Sequence, residues 1–177
     1  NKVLIMATNL EFIKSASGSS VSSLSVTDCF SASYDVYQVL IAKLDSNSTG
    51  AYLYLRFIDS GGSVISDLEY DIAEMDLTSY SSPYAENRGT GQNKGLLGYA
   101  GGTGTADMGG FLTTVYNPND SSSYTFYNGQ SSMKGASGLA GAKYIGVHKS
   151  AEQITGINIL PSAGTLDNIT VNVYGVK

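Results

Sequence analysis

The chain has 177 residues, of which 42% are hydrophobic and only 14% are charged, and its formal net charge is −5. This length suffices for one compact domain that buries about 70% of its unfolded surface, so the fold needs neither a metal nor a disulfide. The acidic balance disfavours nucleic acid and anionic lipid as partners, because both carry negative charge and the ten Lys and Arg residues form no basic run.

The cysteine content and the apolar runs limit the compartment. Cys29 is the only cysteine, so the chain has no internal disulfide and its fold does not depend on an oxidising compartment. No apolar run approaches the ~18 residues that read as a membrane-spanning helix. The apolar stretch at 3–7 is too short for the core of a signal peptide. We therefore expect no membrane insertion and no signal-directed export.

Short apolar and aromatic runs between clusters of Gly, Ser, Asn and Asp predict β-strands along the chain. Residues 1–8 are expected to form an N-terminal arm. In the first half we predict strands at 10–14, 21–26, 36–44 and 51–58, and a hairpin partner of the last at 64–65 and 68–72. Gly61 and Gly62 lie in the intervening turn, where glycine can adopt the positive φ that other residues avoid.

The stretch 79–107 breaks this pattern and predicts a long exposed loop or lid, interrupted by a short strand at 96–99. A loop of this length is usually functional or mobile. Three tyrosines, Tyr80, Tyr84 and Tyr99, lie in or near it and are candidates for stacking on a ligand or a partner. The alternative is that their rings pin the loop to the body of the protein.

The second half returns to strand-like runs. They lie at 110–116, 124–127, 143–149, 154–160 and 169–176. Apolar and polar residues alternate at 157–159 and 169–174, as in half-exposed strands. The total of roughly eight to eleven short strands predicts an all-β fold, an antiparallel β-sandwich of jelly-roll type, formed by one domain over 9–177.

The motifs of common active sites are not found in the sequence. The only histidine, His148, lies within a predicted strand and is interpreted as a structural residue. There is no Gly-x-Ser-x-Gly elbow and no phosphate-binding loop. One histidine and one cysteine cannot supply four N or S ligands for a structural zinc ion. We therefore predict no enzyme, with no catalytic, cofactor-binding or metal-binding residues.

Two alternatives stay open at this point. Asp67, Glu69 and Asp71 alternate along a predicted strand and would share one face, which could bind calcium but is more often simply solvated. Paired carboxylates of a glycosidase are recognised only by their geometry. A sugar cleft normally uses tryptophan, and this chain has none.

The N-terminal arm offers a way to bind a partner. Val3, Leu4 and Ile5 are apolar and precede the first predicted strand. We predict that they dock on a neighbouring subunit by strand addition, because moving an apolar tail out of water lowers the free energy.

Three segments carry a resemblance to a known group of proteins. They are Thr-Asp-Cys-Phe-Ser-Ala-Ser-Tyr-Asp-Val-Tyr at 27–37, Leu-Arg-Phe-Ile-Asp-Ser-Gly-Gly at 55–62, and the ending from Ile-Thr-Gly-Ile at 154–157 to Val-Tyr-Gly-Val at 173–176. Each is a strand with a turn, and in this order they resemble phage virion proteins, especially those of marine and cyanobacterial phages. Cys29 departs from the small or apolar residue that is usual there.

The resemblance implies a jelly-roll structural protein without catalytic residues, of the kind found as head decorations, head fibres or tail-fibre domains. We expect a non-enzymatic protein that decorates the capsid surface, forms a homo-oligomer and binds the major capsid protein or tail components, after assembly in the host cytoplasm. A tail-fibre or tail-tip domain that recognises a host surface glycan is the first alternative. A secreted carbohydrate-binding or glycosidase module is the second.

Overall fold

The computed structural model describes residues 9–81, 84–104, 107–135 and 137–177. Within these ranges the chain forms twelve β-strands. They are β1 (Leu10–Gly18), β2 (Leu24–Val26), β3 (Val36–Ser46), β4 (Tyr52–Asp59), β5 (Tyr70–Thr78), β6 (Glu86–Gln92), β7 (Gly95–Tyr99), β8 (Gly109–Tyr116), β9 (Thr125–Gly135), β10 (Gly138–His148), β11 (Ile154–Pro161) and β12 (Leu166–Val176).

The strands form two antiparallel sheets that pack face to face. The large sheet has the order β1-β12-β3-β8-β9-β10-β5-β6, and the small sheet has the order β2-β11-β4-β7. Apart from β5, β6, β9 and β10, the strands form one long antiparallel ribbon that is folded over itself. Its four strand pairs are β1 with β12, β2 with β11, β3 with β8 and β4 with β7. This is the jelly-roll arrangement, so the predicted fold class is confirmed.

Two hairpins are inserted into this ribbon and widen the large sheet. The β5–β6 hairpin lies in the chain between β4 and β7, and the β9–β10 hairpin lies between β8 and β11. They join through the pairing of β10 with β5, and β9 attaches both to β8. The large sheet is therefore twice as wide as the small one.

The core lies between the sheets because alternate side chains of each strand face inward. In β12, Ile169, Val171 and Val173 are buried while the residues between them are partly exposed. In β3, Tyr37 and Val39 face the same core. One connected cluster of buried apolar side chains includes residues from both sheets.

Four aromatic rings fill the space between β4 and the inserted hairpins. Phe57 of β4 lies 6.2 Å from the ring of Tyr70 and 6.2 Å from that of Tyr127. The ring of His148, at the end of β10, lies 4.9 Å from Tyr70 and 6.1 Å from Phe57. We call Phe57, Tyr70, Tyr127 and His148 the aromatic cluster. It joins the widened part of the large sheet to the small sheet.

Two glycines make room for the ring of Tyr127. Gly146 of β10 lies directly across from Tyr127 in the ladder, and a Cβ atom there would come within 2.2 Å of the Tyr127 ring. A Cβ atom on Gly95 of β7 would approach the Tyr127 hydroxyl to 2.4 Å. Because Tyr127 lies between two backbones, only glycine fits at either position.

Several sequence-based predictions need correction in the middle of the chain. The predicted loop at 79–107 contains β6, which pairs with β5, as well as β7, which the sequence did predict. The predicted hairpin partner of β4 is wrong, because β5 belongs to the other sheet and only a single bridge links Ile58 to Val64. In that turn Gly62 alone has positive φ, at 83°.

The remaining strands follow the prediction, and most of them extend beyond the predicted bounds, although β2 is shorter than predicted. Strands β1, β2, β3, β4, β8, β11 and β12 overlap the predicted runs. The β9–β10 hairpin is much longer than predicted, since the Gly- and Ser-rich stretches at 128–135 and 138–142 are also in strand. The N-terminal arm at 1–8 lies outside the described residues.

We predict that Gly146→Ala destabilises the fold by roughly 2–3 kcal/mol, because the added methyl group overpacks the Tyr127 ring, which cannot retreat toward Gly95. Denaturant unfolding followed by far-UV circular dichroism measures the effect. Gly135→Ala is the matched control, since its new Cβ atom finds its nearest neighbour at 3.4 Å. Equal stability of the two variants would contradict this account of the Tyr127 packing.

Candidate functional site

The outward side of the large sheet exposes apolar side chains in cross-strand rows. One row runs through Val147, Phe126, Tyr116 and Val36, which are direct neighbours across β10, β9, β8 and β3. Ile145 lies beside this row on β10, with 61% of its surface exposed, and Phe126 is 49% exposed.

A second row continues the same surface. Leu112 of β8 lies across from Leu40 of β3, and the two are 39% and 37% exposed. The outer apolar face is defined here as Leu40, Leu112, Tyr116, Phe126, Ile145 and Val147. A polar row of Asn128, Thr114 and Gln38 separates Leu112 and Leu40 from the first row, so the face consists of two apolar stripes. Clustered exposed apolar side chains of this kind often mark an interaction site.

The strands that carry this face are almost free of carboxylates. Strands β8, β9 and β10 contain no Asp or Glu, and β3 contains only Asp45. Asp45 is buried and accepts hydrogen bonds from the Asn168 side chain, at 3.0 Å to Oδ1. The same strands carry Lys43, Lys134 and Lys143. In a chain of net charge −5, the acidic groups therefore lie mainly elsewhere.

The structure places the sequence-predicted tyrosines in two different environments. Tyr80 is 46% exposed and Tyr84 is 62% exposed. Both lie near the tip of the β9–β10 hairpin, where Tyr84 and Leu139 line a shallow cavity of about 300 Å³. Val3, Leu4 and Ile5 lie outside the described residues, so their role in partner binding stays a prediction.

Tyr99 is turned toward the interior of the sandwich. Its ring stacks on that of Tyr52, with a centroid distance of 4.7 Å, and its hydroxyl donates to Asp76 Oδ2 at 3.4 Å. The Tyr52 hydroxyl donates in turn to the Tyr99 oxygen, also at 3.4 Å. This hydrogen bond and burial raise the pKa of Tyr99. Tyr99 therefore belongs to an internal polar network.

That network ends at two buried carboxyl groups. Glu74 and Asp76 are two residues apart on the inward face of β5 and are 5% and 4% exposed. Both carboxylate oxygens of Glu74 are without a hydrogen bond among the described residues. Gly98 of β7 covers them, and a Cβ atom there would lie 3.1 Å from Glu74 Oε1.

Burial, together with the neighbouring charge of Asp76, raises the pKa of Glu74 to about 8. Burial also raises the pKa of Asp76, against the opposing effects of the adjacent Glu74 carboxyl group and of the Tyr99 hydroxyl, which donates to it. Ionising both of two adjacent carboxyl groups away from water has a high free-energy cost, so Glu74 holds its proton at neutral pH.

A second titratable cluster surrounds His148. The imidazole is completely buried, and its Nε2 atom faces Glu69 Oε2 at 3.2 Å and Glu152 Oε1 at 3.7 Å. Burial lowers the pKa of His148, although both carboxylates act in the opposite direction. Neither ring nitrogen makes a hydrogen bond within the described residues. An unpaired buried polar group costs about 1–3 kcal/mol, so this arrangement calls for a compensating ligand.

The calcium alternative drawn from Asp67, Glu69 and Asp71 does not match the structure. Asp71 pairs with Lys149 Nζ at 2.9 Å and accepts the backbone N–H of Gly91 at 2.9 Å. Glu69 turns instead toward His148. Asp71 and Glu69 therefore turn to different partners, and the three carboxylates form no common oxygen cage among the described residues.

Sequence analysis missed both carboxylate clusters and the outer apolar face. Glu74 and Asp76 belong to an acidic stretch that is typical of solvated residues, yet they lie four and six residues after buried Tyr70, and this even spacing places them on the inward face of β5. Glu152 follows β10 in a segment without any pattern. Its proximity to Glu69 depends on tertiary structure alone.

No family model and no curated protein matches the sequence. Among the described residues, no helix has the length and apolar character needed to cross a bilayer.

We predict that Glu74→Gln stabilises the protein at alkaline pH and reduces the loss of stability between about pH 5 and pH 8. The carboxyl group has its ordinary pKa near 4.5 when unfolded and about 8 when folded. The folded state thus binds the proton more tightly than the unfolded state does. The stability that the protonated Glu74 contributes is fully present below the unfolded pKa and is lost as the pH rises through the folded pKa. The difference at pH 8 is on the order of a few kcal/mol.

Thermal melts of the wild type and Glu74→Gln across this pH range measure the effect. Glu86→Gln is the control, because Glu86 is exposed and pairs only with Arg88 at the surface. Melting curves of Glu74→Gln that run parallel to those of the wild type at every pH would refute a proton held at Glu74.

Proposed function

We propose that this chain is a non-enzymatic structural protein of a virion surface, which decorates a phage capsid and associates through the outer apolar face. The single observation that carries the proposal is this face on a jelly-roll body: cross-strand apolar rows on strands with almost no carboxylates. The sequence resemblance to phage virion proteins supports the same assignment.

A second copy of this chain is the proposed occupant of this face. Two copies of net charge −5 repel one another in most orientations. Pairing through the outer apolar face brings together apolar rows on four strands that carry no exposed Asp or Glu, which keeps the repulsion between carboxylates low, while the Lys143 ammonium groups of the two copies must stay apart in solvent. A two-fold axis through the sheet would set Ile145 and Phe126 of each copy against the other and remove both faces from water.

Attachment to the shell uses other parts of the surface in this proposal. The N-terminal arm, with Val3, Leu4 and Ile5, precedes β1 in the chain, and β1 is an edge strand of the large sheet; in this proposal the arm adds a strand to a neighbouring virion protein. The chain would act after assembly in the host cytoplasm, with the capsid protein as its neighbour. A copy number in purified particles close to that of the major capsid protein is the expected result of quantitative mass spectrometry.

We predict that Ile145→Lys weakens self-association about tenfold or more. Each copy would place a desolvated ammonium group in the apolar interface and next to Lys143. Analytical ultracentrifugation across a concentration series measures the dissociation constant. Leu68→Lys is the matched control, since Leu68 is 73% exposed and lies in the segment before β5, away from the outer apolar face. A wild type that stays monomeric throughout, or equal weakening by both variants, would exclude this interface.

Tyr80 and Tyr84 support a second candidate, a fibre domain that binds a host surface glycan. Their exposed rings, beside the shallow cavity at the β9–β10 tip, provide the flat apolar surface on which a sugar ring stacks. In this case Tyr84→Ala abolishes binding on a glycan array while Leu68→Ala retains it. Lack of binding by the wild type to any glycan displayed would remove this candidate.

A further inference from the structure

The three side chains of the His148 cluster come from three separate parts of the chain. His148 is the last residue of β10, Glu69 precedes β5, and Glu152 lies between β10 and β11. The backbone N–H of Lys149 donates to the carbonyl of Glu69 at 2.8 Å and fixes the first two segments relative to each other. The cluster is therefore built on the ordered end of a central hairpin.

Two of the three separations within the cluster are close to those expected around a bound metal ion. Zinc binds imidazole nitrogen and carboxylate oxygen at about 2.0–2.2 Å, so neighbouring ligand atoms of a tetrahedral site lie roughly 3.3–3.6 Å apart. The two separations from His148 Nε2 are 3.2 Å and 3.7 Å, and all three ligand atoms lie within 4.8 Å of one another. Only small side-chain movements would be needed to close the site.

The environment of the imidazole gives an independent reason to expect a ligand. His148 is completely buried, and its Nε2 atom points between the two carboxylates without a hydrogen bond of acceptable geometry. The ring is held in this direction by its contacts with Tyr70 and Phe57. Glu69 and Glu152 are 39% and 33% exposed, so an ion could enter from solvent and water could complete its coordination.

We propose that Glu69, His148 and Glu152 form a binding site for one divalent transition-metal ion, with Zn²⁺ as the favoured ion. Two carboxylates and a neutral imidazole balance a charge of +2. A nitrogen ligand favours Zn²⁺ and its neighbours in the transition series over Ca²⁺ and Mg²⁺, which prefer oxygen alone. The ion would tie the segment before β5 to the β10–β11 connection, so its role would be structural.

Calorimetric titration of untagged protein with ZnCl₂, after EDTA treatment and dialysis, tests the proposal. Any affinity tag must be removed, because the histidines of a tag bind zinc and the chain itself contains only one histidine. We expect one Zn²⁺ per chain and a rise in melting temperature on binding. Glu69→Gln and Glu152→Gln should each weaken binding tenfold or more, whereas the control Glu86→Gln should bind as the wild type does. Excess Ca²⁺ should not compete.

Cobalt provides a second measurement that reports the ligands themselves. Co²⁺ in the site should give the visible absorption of a four- or five-coordinate ion, and Glu152→Gln should alter it. His148→Gln removes a buried ring and is used only if it folds, so the two glutamate variants carry the test. Zinc binding without saturation, or Glu69→Gln and Glu152→Gln variants that bind as tightly as the wild type, would overturn the proposal.

Discussion

The fold depends on the packing of the aromatic cluster between two sheets of unequal width. A four-stranded sheet cannot cover an eight-stranded one, so the inserted hairpins need another means of attachment to the jelly roll. Phe57 and Tyr70 provide it: their rings stack, and the Tyr70 hydroxyl accepts the backbone N–H of Phe57 at 3.0 Å. Tyr127 fills the remaining space only because Gly95 and Gly146 have no side chains. The same contacts orient His148.

This attachment uses the inward face of the hairpins and leaves their outward face uncovered. The outward sides of the two sheets then differ in chemistry. On the small sheet, Arg56 donates to the carbonyl of Asn93, and Lys94 lies over the Tyr54 ring at 4.1 Å, so charged groups meet the solvent. On the large sheet, the groups that meet the solvent are the apolar side chains of Ile145, Phe126 and their neighbours. This difference in chemistry is the reason that the proposed self-association uses the wide sheet.

Sequence periodicity predicts those parts of this fold whose strands alternate clearly. In β12 the residues Ile169, Val171 and Val173 are each separated by a polar residue, and the prediction of this strand is confirmed. The β9–β10 hairpin was underestimated because Gly129 and Gly141 resemble loop residues. A Cβ atom at each would come within 2.5 Å of a tyrosine ring or a backbone oxygen, so tertiary packing selects glycine there. Periodicity has no access to that constraint, nor to the meeting of Glu69 with Glu152.

The two carboxylate clusters show how position within the sheet decides the state of an acid. Glu74 and Asp76 lie in the middle of β5 under Gly98, where water is excluded, and the pair lowers its electrostatic cost by keeping a proton. Glu69 and Glu152 lie beside the end of β10 with about a third of their side-chain surface in solvent, within reach of water and ions. A proton suits the first cluster, and the second is the proposed site of a divalent cation. Each cluster thus lies in or next to a strand of the two inserted hairpins. These hairpins are the addition that this protein makes to the eight strands of the jelly roll itself.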